Sequence, residues 1–98
     1  MNKEKLPTTL EESVDYYTPS FKGLEHLFEN SEDNFASFCH SQLSGGIGMQ
    51  IRNQLGLWDA DSVMTKHMNE VYSLNHADDM SDLILREIYK KVNKKLAQ

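Results

Sequence analysis

Two clusters in this chain gather side chains that could do chemistry. The first joins Gly45, Gly46 and Gly48 to Arg52, Asn53 and the single tryptophan, Trp58. The second is His76-Ala77-Asp78-Asp79-Met80-Ser81, which offers an imidazole, two carboxylates and a hydroxyl. Gly46-x-Gly48 before a helical pattern is one ingredient of an anion cradle, in which backbone amides meet phosphate at a helix N-terminus. The rest of such a loop is missing: there is no Gly-Lys-Ser/Thr and no preceding strand. Tight turning and close backbone approach explain these glycines better.

Arg52 is nearly alone as a cation in an acidic body. Its expected role is an ion pair with Asp78, Asp79 or Asp82, with Asn53 bonding a loop. The competing role is an exposed Arg52-Asn53-Trp58 patch that anchors a partner, because Arg and Trp are enriched at interface hot spots. Tryptophan is mostly buried in folded proteins, so Trp58 is expected in the core, locking its loop together with Leu57. His76, Asp78 and Asp79 could recruit a metal or form an acid–base pair. No familiar ligand spacing accompanies them, so no metal and no cofactor is expected. A helix start is the simpler reading, with Asp78 and Asp79 offsetting the positive helix end and Ser81 bonding nearby backbone.

Cys39-His40 suggests a nucleophile and its base, but adjacent helical residues point about 100° apart. Cys39 shares its face with Phe35 and Leu43 and reads as a buried thiol. Met49, Met64, Met68 and Met80 read as core filler.

Helices must position these groups. Thr8 with Glu11, or Thr9 with Glu12, fits a capping box ahead of a helix carrying Leu10, Val14 and Tyr17. Pro19 should stop it. Residues 20–29 hold a turn with Phe21, Leu24, Leu27 and Phe28, interrupted by Gly23. Ser31, Glu32 and Asp33 open a second helix with Phe35, Phe38, Cys39 and Leu43 on its inner face and Gly45 as its stop. A third spans about Gly46 to Leu55, with Ile47, Ile51 and Leu55 in one stripe and Gly56 as its stop. Asp61 or Ser62 caps a fourth, carrying Val63, Met64, Met68 and Val71. The last begins within Asn75–Asp79 and carries Leu85, Ile88, Tyr89, Val92 and Leu96. No period-two strand competes, so the expected architecture is all-α, a single domain of about five or six short helices.

At 98 residues the chain suits one domain, with residues 7–96 globular and 1–6 flexible. One cysteine excludes an internal disulfide. No apolar run approaches the roughly 20 residues that span a bilayer, and the N-terminus lacks the apolar stretch of a signal peptide, so cytoplasmic residence is expected. Residues 1–85 hold 14 acids and five bases, whereas residues 86–98 hold one acid and five bases. The acidic body argues against nucleic-acid binding, which needs clustered Lys and Arg. Arg86, Lys90, Lys91, Lys94 and Lys95 are the one counter-signal; they read as a solvated helix face or as partners of the acids elsewhere.

The blocks Gly46-x-Gly48-Met49-x-Ile51-Arg52-Asn53, Gly56-Leu57-Trp58 and His76-x-Asp78-Asp79-Met80-Ser81, with Pro7-Thr8-Thr9-Leu10-Glu11-Glu12, resemble a small uncharacterised domain of bacteria and their phages. The resemblance covers most of residues 7–90. Ala77 stands where that family has proline, and Gln54-Leu55 where an aromatic often precedes the glycine. It implies a bacterial or phage origin and carries no activity or catalytic residue. The expected function is therefore a non-enzymatic protein-interaction domain, with a phage-encoded inhibitor of a host or defence protein as its specific form. Its candidate residues are Arg52, Asn53, Trp58, His76, Asp78, Asp79 and Ser81, serving as a structural clasp or an exposed patch. The alternatives are nucleic-acid binding through the basic last helix, or a small enzyme or metal site around Arg52, His76, Asp78 and Asp79.

Overall fold

Thr9 opens helix α1 (Leu10–Tyr17) in extended backbone geometry, and its hydroxyl accepts from the Glu12 backbone N–H at 3.1 Å. The Glu12 carboxylate reaches past Thr9 to accept from the backbone N–H and hydroxyl of Thr8, at 2.9 and 3.0 Å. Of the two expected pairs, Thr9 with Glu12 is the one at the cap, with Thr8 donating to the same carboxylate. The computed structural model describes residues 6–40 and 46–96, with side chains through Lys94. Residues 1–5 of the segment expected to be flexible (1–6), the Gly45 stop and the Leu43 and Leu96 core positions lie outside the described residues or side chains.

Among the described residues five α-helices follow one another: α1, α2 (Glu32–His40), α3 (Ile47–Leu55), α4 (Val63–Tyr72) and α5 (Ala77–Leu96). No strand occurs among the described residues. Pro19 does not push its neighbour out of helical geometry: Thr18 remains right-handed at φ −56°, ψ −43°. The chain tightens instead into a 3₁₀ turn, Thr18–Phe21, where a proline in the first turn forfeits no hydrogen bond. A second 3₁₀ turn, Glu25–Glu29, occupies the segment around Leu27 and Phe28.

The long helix α5 packs against α1, α2, α3 and α4. Its Ile84, Leu85 and Ile88 are wholly buried, as are Phe35 of α2, Ile51 of α3 and Met68 of α4. An aromatic group ties the 3₁₀ turns to this axis: Phe35 lies 5.5 Å from Phe21, 4.9 Å from Phe28 and 5.3 Å from Tyr89 between ring centroids. Several expected core positions face outward instead. Phe38, Met49 and Val63 are exposed, because Cys39, Ile51, Met64 and Met68 take the inward stripe of their helices, and Val71 is exposed in the last turn of α4. The Ser62 hydroxyl caps α4 by accepting from the Thr65 N–H at 3.1 Å.

The basic end of α5 folds back onto acids. Arg86 donates to Asp82 at 2.7 Å, Glu32 at 3.0 Å and Asp33 at 2.8 Å, and these bonds raise its already high pKa. Lys90 pairs with Glu87 and Lys91 with Asp15.

Burial makes the fold alkali-sensitive. It pushes the Cys39 thiol up to about 12, and burial with a smaller contribution from Tyr16 pushes the Tyr17 phenol up to about 12. The unfolded chain therefore loses these protons first. The stability they contribute is full below about pH 9 and drains as the pH approaches about 12. The urea midpoint is expected to fall between about pH 8 and about pH 10.5; a constant midpoint would contradict this burial.

Candidate functional site

Arg52 organises a cluster at the meeting of α2, α3 and α5. Its side chain is only 9% exposed, a severe setting for a guanidinium unless its donors are engaged. Nη1 donates to the Ser81 hydroxyl at 3.1 Å and faces His40 Nδ1 at 3.3 Å. Nε lies 3.5 Å from Asp78 Oδ1, within ion-pair reach, yet it is buried and has no hydrogen bond among the described residues. Ser81, wholly buried, donates in turn to the Asp78 backbone carbonyl at 3.1 Å. Asp78 is the partner in this geometry; Asp79 and Asp82 line the adjoining cleft.

The local sequence explains the approach. Gly46 and Gly56, at φ +73° and +66°, bracket α3, so its nine residues end in left-handed turns that most side chains resist. Gly48 lies one turn before Arg52. A Cβ at Gly48 would stand 3.0 Å from His40 Nδ1, 3.1 Å from the Cys39 carbonyl and 3.2 Å from Arg52 Nη1. The missing side chain is what lets α2 and α3 meet. Gly48→Ala recovers about 1 kcal/mol of helix propensity, but a backbone carbonyl cannot swing aside and overpacking costs about 1–3 kcal/mol. The net expectation is a destabilisation of about 1 kcal/mol in urea denaturation; a stabilised variant would show the contact is loose.

Trp58 corrects the sequence expectation. It is 60% exposed, because the turn at Gly56 sends Leu57 inward, at 3% exposure, and the next residue outward. Its conformation is nonetheless held. The indole N–H donates to Asn53 Oδ1 at 3.1 Å, and the Arg52 guanidinium carbon sits 5.7 Å from the ring centroid. Trp58 also walls a cleft of about 330 Å³ with Leu57, Thr65 and Met80.

The structure thus gathers Arg52, Asn53, Trp58, Asp78 and Ser81, with His76 at the margin. His76 Nδ1 accepts from the Asp78 N–H at 3.2 Å, and both side chains are exposed. From sequence, His40 is considered only beside Cys39, and not as a member of this cluster. His40 bridges Arg52 to Asp82, with Nε2 3.3 Å from Asp82 Oδ1, and Asp82 passes the chain of contacts on to Arg86. No sequence spacing connects residues 40, 52 and 82; the close approach implied by Gly48 was the available signal.

His40, Arg52, Asp78, Asp79 and Asp82 border a second cleft, of about 410 Å³. Its chemistry is inward-looking. Both ring nitrogens of His40 face groups of the protein itself, Arg52 and Asp82. Among the described residues no group of three His, Cys, Asp or Glu side chains could hold a metal ion. No described helix is long and apolar enough to cross a membrane.

Residues 6–92 match the family model described as Domain of unknown function (DUF6794), and the chain belongs to that family. No curated protein and no solved structure shows a significant match.

Proposed function

We propose that this chain is a non-enzymatic protein-interaction domain whose contact is centred on Trp58. The observation that carries the reading is a large aromatic, 60% exposed, that two neighbours hold in one orientation. Ordering a side chain on binding costs about 0.5–1.5 kcal/mol. Asn53 and Arg52 meet part of that cost within the free protein. The indole N–H is already satisfied, so the surface left for a partner is the apolar ring, with exposed Val63 nearby in sequence at the start of α4. A preorganised Trp beside an Arg is the residue combination that dominates interface hot spots. His76, Asp78 and Asp79 supply an exposed polar margin, and the Arg52–Ser81 bond is the clasp beneath.

The test immobilises wild-type and Trp58→Ala protein at equal load and compares capture from a lysate of the source cells. Loss of a central aromatic costs about 2 kcal/mol or more, so captured partner should fall about 30-fold or more in affinity. Circular dichroism should show the same helical content in both proteins. A partner retained equally by the folded variant would sink this reading.

A further inference from the structure

We infer that His40 is a proton-sensitive latch on the Arg52–Trp58 arrangement: the neutral ring holds the guanidinium in place, and a proton added to Nδ1 releases it. This concerns regulation of the surface proposed above and rests on that reading. A guanidinium can only donate, so His40 Nδ1, 3.3 Å from Arg52 Nη1, must present its lone pair. An ionised carboxylate can only accept, so Nε2, 3.3 Å from Asp82 Oδ1, must carry the hydrogen. One tautomer satisfies both contacts. The second proton can go only to Nδ1, where donor would face donor and cation would face cation.

The anchoring of the ring decides which side moves. Its Nδ1 faces Arg52 beside the space that the absent Cβ of Gly48 leaves. On its other side Asp82 holds Nε2 and is itself anchored by Arg86, which also binds Glu32 and Asp33 of α2. The imidazolium therefore stays on Asp82 while Arg52 turns away, toward Asp78 or Asp79 across the cleft. Asp78 also faces His76, a second imidazole whose charge would bear on the same arginine. The charged groups around His40 are Arg52 from α3 and Asp78, Asp79 and Asp82 from α5; behind Asp82 stands Arg86 of α5 with Glu32 and Asp33 of α2, and beside Asp78 stands His76, ahead of α5. Arg52 is also the cation beneath the Trp58 ring, so its departure changes the surface offered to a partner.

The experiment follows imidazole ¹⁵N shifts and the Trp58 indole resonance by NMR from about pH 8 to about pH 5, the range in which imidazoles ordinarily titrate. The latch requires the Nε2–H tautomer of His40 at the alkaline end and an indole shift sharing the midpoint of the His40 ring. That shift is expected to vanish in His40→Gln and to survive in His76→Gln. An Nδ1–H tautomer, an indole resonance that ignores the His40 transition, or a transition that persists in His40→Gln or disappears in His76→Gln overturns the proposal. The tautomer is read on wild-type protein, so the test stands even if His40→Gln does not fold. Partner capture by wild type and Trp58→Ala at the alkaline end separates the two ideas. Capture lost in Trp58→Ala without a latch signature retires the latch alone; a latch signature with capture unchanged in Trp58→Ala retires the contact reading and, with it, the regulatory role.

Discussion

Phe35→Ala is expected to destabilise the domain by about 3–5 kcal/mol, the range for truncating a wholly buried aromatic. Phe35 has no exposed surface and touches the rings of Phe21, Phe28 and Tyr89. Those contacts join both 3₁₀ turns to α2 and α5, so the cavity would open where four segments meet. Small domains hold about 5–15 kcal/mol in total. The variant should therefore be close to unfolding, with an early urea midpoint or no cooperative transition. Phe38→Ala is the internal comparison. It lies three residues later on the same helix, is 40% exposed, and should cost under about 1 kcal/mol. Equal losses in the two variants would mean that α2 presents a different face to the core.

The second large effect separates fold from surface. Arg52→Ala is expected to cost about 2–4 kcal/mol, because it strips the donor from His40 Nδ1 and from wholly buried Ser81 and removes a buried side chain from the α3–α5 junction. The ion pair itself adds little to this figure, since Asp78 is 60% exposed and water can take over its carboxylate. Arg52→Lys should not restore stability: a lysine ammonium falls one bond short of the Nη1 position that serves both Ser81 and His40, and it presents no flat cation to Trp58. Trp58→Ala should shift stability by under about 1 kcal/mol, as most of the ring already meets water. Comparing urea midpoints across the three variants checks the division. A Trp58→Ala loss as large as that of Arg52→Ala would make the tryptophan a structural residue.

The helices were legible because their signals are local. Thr9, Ser62 and Gly56 act at helix ends through hydrogen bonds and backbone angles within a few residues, as their types suggest. That Arg52 would pair with a carboxylate was legible as well, with Asp78 one of three candidates, since an isolated arginine in an acidic chain needs one. The outward turn of Trp58 was not. Tryptophan's apolar area favours burial, but the left-handed turn at Gly56 admits one residue to the core, and Leu57 takes that place. The positions of Val63 and Val71 were misassigned as well. Met64 and Met68, one turn apart, define the buried stripe of α4; Val63 falls off it, whereas Val71 continues it into the last turn, where it is exposed. His40 stayed hidden because its partners lie 12 and 42 residues away on other helices, a relation that no periodicity encodes.

The measurement that bears most directly on the account is the fluorescence of Trp58, the single tryptophan of the chain. A ring held at the surface over Arg52 predicts red-shifted emission and ready quenching by iodide, both retained in folded His76→Gln protein. Blue-shifted emission protected from iodide would place the indole in the core and contradict both the exposed contact and the function proposed from it.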